Sequence, residues 1–229
     1  MSEPDKRRSI RSFVRRDSRI TPAQARALAQ LWPRYGIPEG TTPLDWPTVF
    51  GRRAPVVLEI GFGNGEALAA AAAAHPENNY LGIEVHRPGA GSLLRRLEAQ
   101  ELGNARAMLA DASEVLAHRI VDASLTAVHL FFPDPWPKKR HHKRRLVQLE
   151  FAALVTRKLV PGGFFHLATD WLPYAEHMVA VLSRTEGLVD AGGTGRFQKL
   201  VAERLSTRFE QRGRRLGHEV RDLVYFRRA

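Results

Sequence analysis

The chain contains no cysteine in its 229 residues, which excludes both a disulfide framework and a thiolate metal site. No apolar run approaches the roughly 20 residues that cross a bilayer. The basic start, Lys6-Arg7-Arg8, has no apolar stretch behind it, so neither a membrane span nor a secretory signal is expected. Internal repeats are absent, and the one biased stretch is the alanine run at 69–74, read as helix packed closely on a sheet. Acid is in short supply: 24 Asp and Glu stand against 35 Lys and Arg, for a formal net charge of +11. That imbalance favours a polyanionic partner, because neutralising phosphates releases condensed counterions. A cytoplasmic protein without membrane partners is the expectation.

What is present is an ordinary globular composition, 44% hydrophobic and 26% charged, enough for one domain with its own core. The basic residues gather at 6–19, 138–145 and 204–228, whereas 56–110 is nearly balanced. Neutral middle and basic flanks suit a small catalytic fold that grips nucleic acid. Residues 1–20 read as a basic arm and 21–229 as a single domain whose core begins near 55. Thr21-Pro22 starts a helix that Pro33 ends, and the proline- and glycine-rich stretch 36–55 is irregular. Strands are then expected at 56–60, 80–85, 105–109, 125–132 and 164–169, with helices at 66–74, 92–102, 113–118, 146–158 and 173–183 between and after them. The tail from 191 fits loops and two further strands. Alternation of this kind means an α/β fold with a mostly parallel sheet and helices on both faces.

Ligands of such sheets bind beyond the carboxyl ends of the strands, so the residues standing there carry the argument. After the first strand comes Glu59-Ile60-Gly61-Phe62-Gly63-Asn64-Gly65. Gly61, Gly63 and Gly65 allow a tight turn and a close backbone approach to a ligand. Glu84 ends the second strand, where a carboxylate can accept from ribose hydroxyls, and Asp111 follows the third, where an acceptor meets an adenine amino group. A dinucleotide fingerprint needs a third glycine where Glu66 stands, and Glu59 would repel a pyrophosphate. Acid at that place suits S-adenosylmethionine, with its sulfonium and ammonium charges.

The fourth strand runs into Phe132-Pro133-Asp134-Pro135-Trp136-Pro137-Lys138-Lys139-Arg140-His141-His142-Lys143-Arg144-Arg145. Prolines stiffen the loop, Asp134 stands where a substrate meets the methyl group, and Trp136 offers a stacking face. Arg140, His141, His142, Lys143, Arg144 and Arg145 are candidate RNA contacts. Two adjacent histidines with no acid in the run are weak metal ligands, and no metal is expected.

On these motifs, together with Ile10-Arg11-Ser12-Phe13-Val14-Arg15-Arg16, Gly82-Ile83-Glu84-Val85-His86, Ala168-Thr169-Asp170-Trp171 and Thr207-Arg208-Phe209-Glu210-Gln211-Arg212-Gly213, the chain resembles the bacterial tRNA (guanine-N7-)-methyltransferases over nearly its whole length. The resemblance implies a Rossmann-like class I methyltransferase fold and methylation of a guanosine in the tRNA variable loop, without a metal. It implies that Glu59, Glu84, Asp111 and Asp134 contact the cofactor and that Asp134 is also the catalytic position. Lys138, Asp170, Thr207, Arg208, Phe209 and Glu210 would bind the target guanosine. Asp134 or Asp170 would accept from the N1–H and N2–H edge of the guanine. Two rival readings are an adenine amino-methyltransferase, from the Asp134-Pro135-Trp136 sequence, and a non-catalytic RNA-binding protein on the same scaffold. DNA is not an expected partner, and monomer and homodimer are equally open.

Overall fold

The computed structural model describes residues 12–13, 19–192, 194–204, 210, 215, 217 and 219–229. Within them, seven strands are present: β1 (Val56–Ile60), β2 (Asn79–Glu84), β3 (Ala105–Leu109), β4 (Leu125–Phe131), β5 (Leu159–Thr169), β6 (Leu188–Asp190) and β7 (Arg221–Arg227). They form one sheet in the order β3-β2-β1-β4-β5-β7-β6. The first five strands pair in parallel, while β7 runs antiparallel to both β5 and β6. Chain order reverses between β1 and β4, which makes that crevice the natural place for a ligand.

Eight named α-helices stand among the described residues: α1 (Pro22–Tyr35), α2 (Trp46–Phe50), α3 (Glu66–Ala74), α4 (Arg87–Ala99), α5 (Ala112–His118), α6 (Leu149–Lys158), α7 (Leu172–Leu182) and α8 (Gly195–Glu203). All five residues of β1 are buried, as a strand covered on both faces requires. On one face Leu58, Leu130 and Phe165 pack with Leu116, Val155 and Met178 of α5, α6 and α7. On the other, Val57, Tyr80 and Ala127 pack with Ala27, Leu68 and Leu94 of α1, α3 and α4. The expected α/β architecture, with a mostly parallel sheet between two helical layers, is the one observed.

Helices α1, α2, α4 and α8 and strand β5 depart from the sequence expectation, each for a local reason. Helix α1 continues through Pro33; its Thr21–Gln24 capping box secures one end, and the Tyr35 hydroxyl, donating to Glu98 at 2.9 Å, ties down the other. Helix α4 begins at Arg87 rather than 92, through a Pro-Gly-Ala-Gly sequence that reads as a break. A Cβ at Gly89 would stand 2.2 Å from the Gly63 carbonyl oxygen, so glycine there serves close packing on the loop after β1 instead of a turn. Strand β5 starts at Leu159 and runs through Pro161-Gly162-Gly163, which was expected to precede it. Helices α2 and α8 were not expected. Both are short and capped by side chains, Asp45 accepting from the Thr48 N–H and Thr194 from the Phe197 N–H.

Candidate active site

A cavity of about 490 Å³ opens beyond the carboxyl ends of β1 to β4, lined among others by Gly61, Gly63, Glu84, Asp111, Phe132 and Asp134. Five residues chosen from sequence position at successive strand ends, Gly61, Gly63, Glu84, Asp111 and Asp134, therefore share one space. Gly61 and Gly63 have φ of 74° and 55°, and a Cβ on either would meet no protein atom within 4 Å. The turn thus leaves room that a side chain would take from a ligand. Gly65 behaves differently: it opens α3, and a Cβ would press on Leu93 at 2.6 Å. Its role is packing.

Glu84 fastens the glycine turn to the end of β2. Its Oε2 accepts from the Gly63 N–H at 2.9 Å, and its Oε1 accepts from the N–H groups of Val85 (2.7 Å) and His86 (3.1 Å). A carboxylate has about four lone-pair positions, so acceptor capacity remains for a ligand hydroxyl. Asp111 likewise has a structural task, capping α5 by accepting from the Ser113 N–H at 2.9 Å, while lining the cavity.

Asp134 is exposed on the loop after β4. Phe132 and Trp136 on either side have φ of 52° and 45°, a left-handed backbone that costs bulky residues of order 1–3 kcal/mol and persists only where surroundings enforce it. The enforcement is visible. Arg145, 3% exposed, donates from Nε to the Pro135 carbonyl at 2.9 Å and lies against the Tyr174 ring. The Trp136 indole N–H donates to the Ser12 carbonyl at 3.0 Å, and the Arg144 guanidinium covers its ring at 3.9 Å. Ser12 and Phe13 also line the cavity. Two residues of the basic arm therefore belong to the cofactor-sized space, a role that its charge did not reveal. The rest of the arm lies mostly outside the described residues.

The candidate RNA contacts divide. Lys138, Arg140 and Lys143 are exposed; His141, His142 and Arg144 are partly buried; Arg145 is an internal brace. Residues 139–144 form a 3-10 turn, and the His141 ring meets Trp136 edge-on at 5.8 Å. Burial and the neighbouring Arg140, Arg144 and Lys138 charges lower the His141 pKa, favouring its neutral form.

Glu59 takes a different position from the other acids. It is 6% exposed and lines a second cavity of about 380 Å³, between α3 and α8 on the sheet face, with His129, His166 and Arg204. Phe131 lines both cavities. Burial first, and the Glu84 carboxylate second, push the Glu59 pKa up to about 8. Burial first, and His166 second, push that of His129 down to about 3. Asp170 stands just beyond β5, and Trp171, not Asp170, is the N-cap of α7. Glu210 is buried and pairs with Arg204 at 2.6 Å; Thr207, Arg208 and Phe209 lie outside the described residues. Sequence reasoning missed the cluster His166, Asp222, Arg204, which comes from three separate elements and has no spacing signature. Among the described residues no three His, Asp or Glu side chains gather as metal ligands, and no helix is long and apolar enough to cross a membrane.

The arrangement is that of a class I methyltransferase. The 16S rRNA methyltransferase KamB superposes with a TM-score of 0.56 at 16% identity, covering 94% of this chain and 97% of its own. An rRNA methylase from Streptococcus thermophilus gives 0.52 at 13%, covering 77% and 88%; at such identities the likeness is one of fold. A family described as "Putative methyltransferase" matches residues 53–223. The tRNA (guanine-N(7)-)-methyltransferase of Alkalilimnicola ehrlichii is 59% identical over 224 residues, 97% of this chain and 94% of that protein. The enzyme of the same name from Vibrio cholerae is 53% identical over 223 residues, covering 97% and 93%. The chain belongs to the tRNA (guanine-N7-)-methyltransferase family.

Proposed function

We infer that the chain is an S-adenosylmethionine-dependent tRNA (guanine-N7-)-methyltransferase and that the guanosine it modifies lies in the variable loop. The observation that carries the reading is the single cavity joining Gly61, Gly63, Glu84 and Asp111 to Asp134, in a chain whose relatives share the activity over nearly full length. The residues fit the cofactor. Glu84 would take ribose hydroxyls, Asp111 the adenine edge, and the open glycine turn the chain beyond the ribose, with carboxylates and, among the described residues, no lysine or arginine on the walls. When bound, S-adenosylmethionine supplies an activated methyl carbon.

Guanine N7 has an in-plane lone pair and no proton, so its attack on that carbon requires alignment and no general base. Positive charge develops on the purine, and a carboxylate fixed nearby offsets it. The strained Phe132–Trp136 loop that carries Asp134 supports this role; the carboxylate orients and stabilises and moves no proton. Asp170 or Asp134 accepts from the N1–H and N2–H edge. Lys138, together with Thr207, Arg208, Phe209 and Glu210, forms the rest of the target site, and exposed Arg140 and Lys143 hold phosphates.

The test is methyl transfer from labelled donor to bulk tRNA followed by aniline cleavage at 7-methylguanosine. Cleavage in the variable loop is the expected result. Label in adenine would establish the amino-methyltransferase alternative, and donor binding without transfer a non-catalytic protein.

A further inference from the structure

Across the face of the sheet that carries α3 and α8, ionisable side chains stand in one row. Glu59, His129 and His166 are register partners on β1, β4 and β5. His166 Nε2 lies 2.8 Å from Asp222 Oδ1 on β7. Asp222 in turn receives two bonds from Arg204, Nε to Oδ1 at 2.6 Å and a terminal nitrogen to Oδ2 at 3.1 Å, and Arg204 gives a third to Glu210 at 2.6 Å. Arg204, Glu210 and Asp222 have side chains only 5%, 2% and 9% exposed. The Arg204 guanidinium also sits 5.5 Å from the Phe131 ring and 5.9 Å from the Phe132 ring. Those two rings stand at the end of β4 and the start of the loop that carries Asp134.

Such a cluster is costly to bury, and replacing it by apolar side chains would often leave a fold as stable or more so. Its geometry suggests what it is kept for. A planar guanidinium can grip one carboxylate with two bonds and still direct a third elsewhere; an ammonium cannot reproduce this. Burial works against the Asp222 charge, but hydrogen bonds from His166 and Arg204 outweigh it and hold its carboxyl below the usual range. The grip is thus charged on both sides at neutral pH.

We propose that Arg204 is a positioning residue for methyl transfer: anchored to β5 and β7 through His166 and Asp222, it fixes Glu210 relative to the Phe131–Phe132 end of β4. The proposal rests on the reading of Glu210 as part of the target site. Arg204 touches neither donor nor guanine. It sets the distance between Glu210 and the loop that presents Asp134, and a misplacement of an ångström there is worth roughly 100-fold in rate.

The experiment compares wild type, Arg204→Lys, Glu210→Gln and the double variant. It measures single-turnover transfer at saturating tRNA, donor affinity by calorimetry and the urea unfolding midpoint. Arg204→Lys should slow the saturated rate by about 10- to 100-fold with donor affinity unchanged. In the Glu210→Gln background the same substitution should cost less than about threefold, since the partner is already lost. A wild-type rate in Arg204→Lys would overturn the proposal. So would full additivity of the two substitutions, or a rate loss that tracks loss of donor affinity and fold together. Absence of guanine-N7 transfer by the wild type would instead overturn the functional reading on which it rests.

Discussion

The buried pair Glu59 and His129 gives a prediction that depends on pH in a particular shape. The perturbation is Glu59→Gln, nearly the same size and unable to ionise. Burial, then the Glu84 charge, raises the Glu59 pKa from 4.5 to about 8, so between these values the folded chain holds a proton that the unfolded chain has released. Stability contributed by the neutral form is full below pH 4.5 and drains away as pH rises to about 8. His129 acts oppositely: burial, then His166, lowers it from 6.5 to about 3, so its contribution is full above 6.5 and drains as pH falls toward 3. The slopes cancel between 4.5 and 6.5, leaving a plateau with a fall on each side. At about 1.4 kcal/mol per pH unit the Glu59 effect has a ceiling near 5 kcal/mol, which any water in the cavity that the carboxyl lines would lower. Urea unfolding of both proteins from pH 4 to 9 is the assay. The variant's advantage should be constant below pH 4.5 and grow up to about 8. The other groups facing Glu59, namely Tyr80, Glu84 and His166, are present in both proteins. A difference independent of pH would show that Glu59 is ionised and solvated in the folded chain, and the reasoning would fail.

The layout of the fold was readable because its signals are local. A five-residue run, apolar but for Glu59 and bounded by Pro55 and Gly61, has few options other than a buried strand, and β1, α3 and β3 lie where periodicity puts them. Misreadings arose where tertiary contact overrides composition: Gly89 is in a helix because α4 packs on the Gly63 carbonyl, and Pro161 is carried in a strand as part of the irregularity between the Leu125–Leu159 and Ala127–Phe164 pairs. The site followed the same division. Glu84, Asp111 and Asp134 were legible since strand ends converge in any parallel sheet. Charge was misleading about Arg145, because an arginine that braces a loop has the same letter as one that meets a phosphate. The Arg204 cluster was hidden altogether, since its members are brought together only by sheet order β4-β5-β7 and by the chain beyond α8.

Further outcomes are expected. Asp134→Ala should leave the unfolding midpoint unchanged, as the residue is exposed, and reduce single-turnover transfer by about 100- to 1,000-fold, or about 2.7–4 kcal/mol; near-normal transfer with intact donor binding would remove Asp134 from the chemistry. Arg145→Ala should cost about 2–3 kcal/mol in urea unfolding, since it strips the Pro135 carbonyl of a charged donor inside the protein, and a midpoint within error of wild type would return Arg145 to the surface. The last concerns salt. If exposed Arg140 and Lys143 each neutralise one phosphate, replacing both by alanine should flatten the dependence of log affinity on log salt by up to about 1.8, each contact contributing about 0.9. The loss should be alike for different tRNAs, because phosphate contacts carry no sequence information. Lys138 is exposed too, but it stands nearest Asp134 in the chain and is assigned to the target nucleoside, so Lys138→Ala should also lower the rate at saturating tRNA. His141→Ala with His142→Ala should weaken binding and spare that rate, for N7 has no proton to give up. The measurement is a tRNA titration at several salt concentrations for each variant, with single-turnover rates at saturation. An unchanged slope in the Arg140 and Lys143 double variant would mean that this surface is merely solvated and that the RNA backbone crosses the protein elsewhere.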